Sequence, residues 1–325
     1  MMLPDSASFS IGGLRAPRTS VVITSYNYAE YLPFAIDSVL NQTDDDFELL
    51  IVDDGSTDGS LEVARACSDP RVRVLAQPHR GLSAARNAGM LAVQGRYIAF
   101  LDADDVWVRG KLAVQCGLMD QCPEIGLSYT RFGVIDVNGR VQSSGYSYLT
   151  LRPSGAILRR LLAGNVIGTP STICFRRDLI EKEALRFDDT LTYSEDWRFY
   201  LDVASRTRVQ HIPRTLAYHR WHSRNLSRDV TAAMAQSLRT GRFGVELARV
   251  HLELAGRRLQ RVERRMMAYV ESLAARECIK AGNLERARSH AVNSLRHDPW
   301  NPREALLYLC ASIGWVPQSI TRRLK

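Results

Sequence analysis

Residues 96–107, RYIAFLDADDVW, constrain the fold more than any other stretch, because an apolar run ends abruptly in three carboxylates. Residues 97–101 are all apolar and include two aromatic side chains and one β-branched side chain, which predicts a strand buried on both faces. Ligands bind just beyond the carboxyl ends of strands in α/β sheets, so Asp102, Asp104 and Asp105 should border a ligand crevice.

These three carboxylates predict a cation site. Side chains alternate along an extended chain, so Asp102 and Asp104 are expected to face one ligand together, while Asp105 points away, towards the following turn. Carboxylate oxygens are hard ligands that suit Mg²⁺ or Mn²⁺, particularly where phosphates supply the remaining ligands. Taken alone, the same residues also fit a solvated turn that caps a helix.

Strand and helix patterns alternate through the residues before this stretch. Apolar runs predict strands and helically spaced apolar residues predict helices, with strands at 21–23, 48–52 and 72–75 and helices at 32–40, 61–67 and 81–94. This order predicts a parallel, right-handed α/β unit. Its carboxyl-terminal edge gathers polar side chains, namely Thr24, Tyr26, Asp53, Asp54, Asp102 and Asp104. Neither GxGxxG after the first strand nor GxxxxGKS/T occurs, so the motifs of a dinucleotide-binding Rossmann domain and of a P-loop are missing.

The middle of the chain is less regular, with predicted strands at 126–137 and 172–175. Two adjacent acids, Glu195 and Asp196, precede a predicted helix at 199–204. Ser194 as the N-cap, followed by acids in the first turn, is also ordinary helix chemistry. Residues 219–222, HRWH, are interpreted as a polar loop between aromatic side chains.

Composition and charge divide the chain into regions. Residues 228–325 read as helical and contain 18 Lys and Arg against 9 Asp and Glu, which accounts for the whole net charge of +8. We expect a loose lead-in at 1–18, an α/β domain at 19–227 with halves at about 19–107 and 108–227, and a basic helical region at 228–325. Because arginines of that region alternate with glutamates at helical spacing, as on a solvated face, we expect no nucleic-acid partner.

Six scattered cysteines without CxxC spacing, and no secretory signal, predict reduced thiols in a cytoplasmic protein. No apolar run approaches the roughly 20 residues that span a membrane.

Four phrases occur together and in one order: VVITSYNYAEYLPFAIDSVLNQT, ELLIVDDGSTDGS, RGLSAARNAGMLAVQGRYIAFLDADD and SEDWRFYL. In this combination the chain resembles the family 2 glycosyltransferases, the large inverting group with the GT-A fold. The resemblance implies a Rossmann-like α/β core that binds a nucleotide-diphosphate sugar, with the C-terminal helices as an appendage. The chain lacks the QxxRW motif of the processive branch, which implies one sugar transfer per encounter.

The resemblance also implies a donor site. Thr24, Tyr26 and Asp54 would form the pocket for the nucleotide base, Tyr26 by packing and Asp54 by accepting a hydrogen bond from the ring N–H, with Asp53 beside them. Arg86 would lie near the diphosphate, where a guanidinium suits phosphate oxygens.

For the remaining positions the resemblance implies that Asp102 reaches the ribose, that Asp104 is the direct metal ligand and that His222 completes the metal site, with Mg²⁺ or Mn²⁺ bound. The ion would stabilise charge on the departing diphosphate. Asp196 would be the general base that deprotonates the acceptor hydroxyl, and Glu195 would support the acceptor pocket.

Donor and acceptor identity stay open. Family habit favours a UDP-sugar, with dTDP and GDP donors as alternatives, and cell-surface polysaccharide or glycan synthesis with a glycan or lipid-linked acceptor. Apolar and basic residues at 305–325 predict either peripheral contact with an anionic membrane or packing of the helical region on the core. The rival functions are a sugar-1-phosphate nucleotidylyltransferase, whose GxGTR-type loop is absent, and a non-catalytic nucleotide-sugar-binding adaptor.

Overall fold

The computed structural model describes residues 16–143, 152–222 and 230–299, together with residue 312. Within these residues the chain forms one mixed nine-stranded sheet. Its strands are β1 Thr19–Ser25, β2 Phe47–Asp53, β3 Val72–Ala76, β4 Tyr97–Asp102, β5 Val106–Trp107, β6 Ile125–Ile135, β7 Val141–Ser143, β8 Ile173–Arg176 and β9 Arg208–Arg220.

The strand order is β3-β2-β1-β4-β8-β6-β9-β5, and β7 pairs with β6 outside this path. The first four strands are mutually parallel, as the sequence predicts. Strand β8 runs antiparallel to both β4 and β6, whereas β6 and β9 are parallel to each other. The carboxyl ends of β1, β2 and β4 therefore lie side by side at one edge of the sheet.

Helices cover both faces of the sheet. They are α1 Leu32–Leu40, α2 Ser60–Arg65, α3 Leu82–Ala92, α4 Lys111–Gln121, α5 Leu158–Leu161, α6 Arg177–Lys182, α7 Glu195–Ala204, α8 Val230–His251, α9 Gly256–Lys280 and α10 Leu284–His297, with one 3₁₀ turn at Pro170–Thr172. The α/β class expected from the sequence is confirmed.

The core has two parts because side chains alternate across each strand. Val21 and Ile23 of β1 belong to the cluster that includes α1 and α4, whereas Val22 packs with residues of α3 and α7 on the opposite face. All three are fully buried, and each such burial contributes about 1.5–3 kcal/mol. Burial on both faces explains why the parallel strands read as continuous apolar runs.

The strands and helices predicted up to residue 101 are all present, with ends shifted by a few residues. The interpretation of residues 219–222 as a loop is wrong in part, because His219 and Arg220 are the last residues of β9. This strand contains Pro213, which cannot donate to a ladder. The pairing with β6 jumps there from Ile212 to Thr215, so the proline lies in an irregularity.

The helical character predicted from residue 228 is confirmed for residues 230–299. Buried residues of α8 and α9, including Val245, Ala248, Met266 and Val270, join the same cluster as Val22 and Trp197. None of the helices in the described ranges is both long and apolar enough to cross a bilayer. The segment 305–325, predicted to anchor or pack, lies outside the described residues apart from residue 312.

Candidate active site

The parallel strand ends place the predicted donor residues next to one another. In the β1–β2 register Ser25 faces Asp53, and in the β1–β4 register Thr24 faces Asp102. Asp53 accepts a hydrogen bond from the Ser56 amide at 3.1 Å, while its other carboxylate oxygen is buried and accepts none from the described residues. The polar residues predicted at the carboxyl ends of these strands therefore lie together at one edge of the sheet, here called the donor edge.

Asp54 holds the loop that follows β3. Its buried carboxylate accepts hydrogen bonds from the Gln77 side chain at 2.6 Å, the Arg80 amide at 3.0 Å and the Gly81 amide at 2.8 Å. Gly55, with φ +75°, permits the close approach, because a Cβ there would lie 2.7 Å from the amide nitrogen of His79. The second aspartate of the DDGS phrase thus fixes the shape of the crevice.

This loop presents His79 to Tyr26. The two rings stack with centroids 3.9 Å apart and planes 21° from parallel, and Nδ1 of His79 lies 2.9 Å from an Asp54 oxygen. Tyr26 remains 41% exposed, so the pair presents an aromatic surface at the crevice. The sequence did not single out His79, because no motif contains it.

Arg86 joins the donor edge to the acidic pair. The side chain is only 1% exposed; Nη2 donates to Asp102 at 2.8 Å and Nη1 donates to Glu195 at 2.9 Å. Burial alone would lower the pKa of Arg86, but the charges of Asp102 and Glu195 outweigh it and raise that pKa. A contact of Arg86 with a diphosphate stays a prediction.

Asp104 and His222 meet at the same edge. Oδ2 of Asp104 lies 2.9 Å from Nε2 of His222, and each residue is 6% exposed. The imidazole stacks on Tyr31 with a centroid distance of 5.0 Å, and Arg220 donates to the backbone carbonyl of Asp104 at 2.9 Å, which fixes both residues in place.

A carboxylate and an imidazole side by side are a donor set that fits a divalent cation. Within the described ranges, no three His, Cys, Asp or Glu side chains are grouped so that they alone could hold an ion. An ion held by Asp104 and His222 would need further oxygen ligands, such as those of a diphosphate.

The orientation predicted for Asp105 is wrong. Asp105 does not point away towards the following turn but is fully buried, and its carboxylate accepts from Ser171 Oγ at 2.6 Å and from the Arg220 amide at 3.0 Å. Its Oδ1 also lies 3.0 Å from Nδ1 of His219. Burial alone would lower the pKa of His219, but the charge of Asp105 raises that pKa to about 9. Asp105 therefore ties β9 to the end of β4.

Glu195 and Asp196 begin α7, and Arg86 links Glu195 to Asp102 at the end of β4. Ser194 occupies the N-cap position but does not cap the helix with its side chain; it has φ 60°, and its Oγ lies 2.6 Å from Oγ of Ser237. Oδ2 of Asp196 accepts from Asn165 at 3.0 Å. Burial of the carboxylate, together with the negative charge of Glu195, raises the pKa of Asp196 to about 7.

A cavity of about 420 Å³ opens beside Asp196. Asn165, Thr169, His219 and Trp221 line it on the side of the sheet, and residues of α8 and α9 line it on the other side. Thr169 also donates to Asp102 at 3.3 Å, so the cavity adjoins the donor edge. Asn165 and Thr169 lie in a loop without a recognisable motif, and the sequence therefore gave no signal for them.

Comparisons with known proteins identify the family and the fold. The family model for glycosyl transferase family 2 matches residues 20–183. An uncharacterized glycosyltransferase of Nostoc sp. is 30% identical over 252 residues, which cover 72% of this chain and 74% of that protein. An uncharacterized glycosyltransferase of Rickettsia felis is 32% identical over 63% of this chain, but the match spans only 33% of that longer protein.

A relative with a named reaction is the UDP-Glc:alpha-D-GlcNAc-diphosphoundecaprenol beta-1,3-glucosyltransferase WfgD of Escherichia coli. It is 29% identical over 59% of this chain and 72% of its own length.

Solved structures share the fold. S. aureus TarS 1-349 in complex with UDP-GlcNAc has a TM-score of 0.57 at 15% identity, covering 92% of this chain and 93% of that one. The mannosyltransferase PcManGT from Pyrobaculum calidifontis, in complex with GDP-Man and Mn²⁺, has a TM-score of 0.57 at 19% identity, covering 95% and 84%. With the matching family model and the relative from Nostoc, these findings show that the chain belongs to glycosyl transferase family 2 and is a glycosyltransferase with a GT-A fold.

Proposed function

We propose that this glycosyltransferase moves a sugar from a nucleotide-diphosphate donor to an acceptor hydroxyl with inversion, one sugar per encounter, in cell-surface polysaccharide or glycan synthesis. The observation that carries the proposal is the bridge made by Arg86. One guanidinium contacts Asp102 at the donor edge and Glu195 beside Asp196, so the donor crevice and the acidic pair belong to one hydrogen-bonded site.

Asp196 is the general base in this proposal. Its carboxylate takes the proton of the acceptor hydroxyl while that oxygen forms a bond to C1 of the sugar and the bond from C1 to the diphosphate oxygen breaks. Direct displacement from the opposite side inverts the anomeric centre. General bases work best with a pKa near the working pH, and the pKa of Asp196 at about 7 meets that requirement.

The other acidic and basic residues position the reactants. Glu195 balances the buried charge of Arg86 and supports the acceptor pocket. Thr24 and Asp53 line the crevice, and the stacked pair of Tyr26 and His79 offers an aromatic surface for the nucleotide base. Asp54 is predicted to accept a hydrogen bond from the ring N–H of the nucleotide base. It also holds the loop that presents His79 to Tyr26.

Asp104 and His222 would hold Mg²⁺ or Mn²⁺, and the bound ion would supply positive charge for the leaving diphosphate. Two observations support this assignment. The two side chains lie 2.9 Å apart with their positions fixed by Tyr31 and Arg220, and PcManGT was solved with Mn²⁺.

A UDP-sugar is the proposed donor and a glycan or lipid-linked hydroxyl the proposed acceptor. The name of the relative WfgD supports both, because it specifies UDP-Glc and a diphosphoundecaprenol-linked sugar. A lipid-linked acceptor would place the enzyme at the cytoplasmic face of a membrane. Five arginines of α9 that would favour anionic lipid are Arg257, Arg258, Arg261, Arg264 and Arg265.

A donor screen tests the proposal. Purified protein is incubated with UDP-, dTDP- and GDP-sugars, with and without Mn²⁺, and release of the nucleoside diphosphate is measured with a panel of glycosides as acceptors. We expect metal-dependent release with one nucleotide class. Nucleotide binding without any release would favour the adaptor function instead, and failure to bind any nucleotide diphosphate would refute the assignment.

Sedimentation with liposomes tests the membrane contact. The protein should sediment with anionic vesicles and be released by high salt. Equal recovery with neutral vesicles would refute an electrostatic contact.

A further inference from the structure

We infer that α8 and α9 form one wall of the acceptor site, and that the side chains of Ala233 and Met234 on this wall determine which sugar ring is accepted. The inference rests on the proposed function, since it assigns the cavity beside Asp196 to the acceptor. The model of glycosyl transferase family 2 matches residues 20–183, so both helices lie outside the residues that this model covers.

The cavity is open to the candidate base on one side and to the helical region on the other. Asp196, Asn165 and Trp221 line the first side, and Ala233, Met234 and Leu273 line the second. Its volume of about 420 Å³ falls within the range of about 300–1,000 Å³ that is usual for small-molecule sites. A molecule bound here would touch α8 and α9 whenever it reaches Asp196.

Helix α8 is hydrogen-bonded to the loop that precedes Glu195 and Asp196. Oε1 of Gln236 accepts from the amides of Thr192 at 2.7 Å and Tyr193 at 2.8 Å. The next residue of α8, Ser237, bonds through its hydroxyl to Ser194 at 2.6 Å. Since Ser194 adopts a left-handed conformation that costs free energy, these contacts from α8 help to hold it. The wall and the base are therefore fixed relative to each other.

Helix α9 packs against residues beside the cavity through Tyr269. The ring of Tyr269 lies edge-on to Trp197, the neighbour of Asp196, with a centroid distance of 5.1 Å. It also fills the space over Gly164, where a Cβ would lie 2.6 Å from the ring, and the φ of +140° there again requires glycine. Tyr269 of α9 therefore packs against the chain neighbours of Asp196 and Asn165, two residues that line the cavity.

The chemistry of the lining fits a sugar ring. A pyranose has apolar C–H faces and a polar rim of hydroxyl groups. Met234, Leu273 and Trp221 supply apolar surface, whereas Asn165 and Asp196 supply an amide and a carboxylate for hydroxyl groups. We therefore assign the cavity to the terminal sugar of the acceptor, with its reacting hydroxyl towards Asp196.

Two alanines on α8 provide a matched test. Ala233 lines the cavity, whereas Ala235 is exposed. Replacing Ala233 by leucine adds bulk to the acceptor space, and replacing Ala235 by leucine makes the same change of sequence outside it. A second variant, Met234→Ala, enlarges the cavity and serves if Ala233→Leu does not fold, as judged by its melting temperature.

For each protein, nucleoside diphosphate release is measured without acceptor, as donor hydrolysis, and with a panel of methyl mono- and disaccharide glycosides. We expect Ala233→Leu to raise the acceptor KM by about tenfold or more, since overpacking a well-fitted site is costly, with the donor KM unchanged. Met234→Ala should increase acceptance of disaccharides relative to monosaccharides. Ala235→Leu should behave as wild type.

An unchanged acceptor profile in both cavity variants would overturn the inference. So would an equal rise of the donor KM and the acceptor KM in Ala233→Leu, because it would indicate a general structural effect, and so would wild-type hydrolysis that no glycoside stimulates. A wild-type protein that neither hydrolyses nor transfers any donor would instead overturn the proposed function, and this inference with it.

Discussion

Replacing Asp196 by asparagine tests its role as the general base. The substitution should lower the rate of sugar transfer but raise the free energy of unfolding at pH 8. In the folded protein the pKa of Asp196 lies at about 7 rather than at the ordinary 3.8. The folded protein therefore retains a proton between about pH 4 and pH 7 that the unfolded chain has lost, and the free energy of unfolding falls as the pH rises through this interval.

The magnitude follows from the two pKa values. At pH 8 the ionised carboxylate costs about 4 kcal/mol, because each pKa unit corresponds to about 1.4 kcal/mol. Asparagine carries no charge, but its side chain has one acceptor oxygen in place of two. It can keep the bond from Asn165 or the bond from the Trp197 amide, and losing one costs about 1 kcal/mol.

We therefore expect Asp196→Asn to be more stable than wild type by about 3 kcal/mol at pH 8 and close to wild type at pH 4. Donor binding should be retained, since the substitution does not alter the strand ends, whereas transfer should fall by about 10²–10⁴ because the general base is lost. In the wild type, kcat/KM should decline as the pH falls below about 7.

Urea denaturation at several pH values, isothermal titration with UDP and Mn²⁺, and a transfer assay measure the three quantities. Asp188→Asn is the matched control, because the pKa of Asp188 is lowered by Thr190 and Arg198 against the effect of burial, so this variant should lose stability at pH 8. Full transfer by Asp196→Asn, or a stability difference that does not change with pH, would refute the reasoning.

Three further changes test the metal site, the acidic pair and the buried lysine of α4. Asp104→Ala should abolish metal-dependent nucleotide binding and transfer with the fold intact, and full activity of this variant in excess EDTA would disprove the ligand role. Glu195→Gln should reduce transfer less than Asp196→Asn, because Arg86 keeps Asp102 as a partner; the opposite order of effects would exchange the roles of the two acids. Lys111 is fully buried, and burial lowers its pKa to about 8. Keeping the buried ammonium charged at pH 7 therefore costs about 3 kcal/mol of folding free energy. The Trp107 ring, whose centroid lies 4.0 Å from Nζ of Lys111, offsets part of this cost. Thermal melts should therefore show Lys111→Met stabilised at pH 7, with the gain lost by pH 10; destabilisation at both pH values would contradict it.

Some of this organisation follows from the sequence alone because it depends on local patterns. An apolar run buried on both faces can be recognised without knowing its neighbours, and parallel strands necessarily end at one edge of the sheet. Thr24, Asp53 and Asp102 could therefore be expected together, and the registers of β1 with β2 and β4 confirm it. The family resemblance depended on the same strand-end phrases.

Other features depend on partners far away in the chain, and only the tertiary structure decides them. Asp105 is buried because Ser171 and Arg220, 66 and 115 residues away, supply its donors, and the local sequence contains neither. Strand β9 could not be recognised because Pro213 interrupts its pattern and only the pairing with β6 makes it a strand. Likewise, the basic composition of the helical region gave no sign that Gln236 reaches the loop before Asp196. A hydrogen bond between segments 44 residues apart leaves no periodicity for a sequence pattern to reveal.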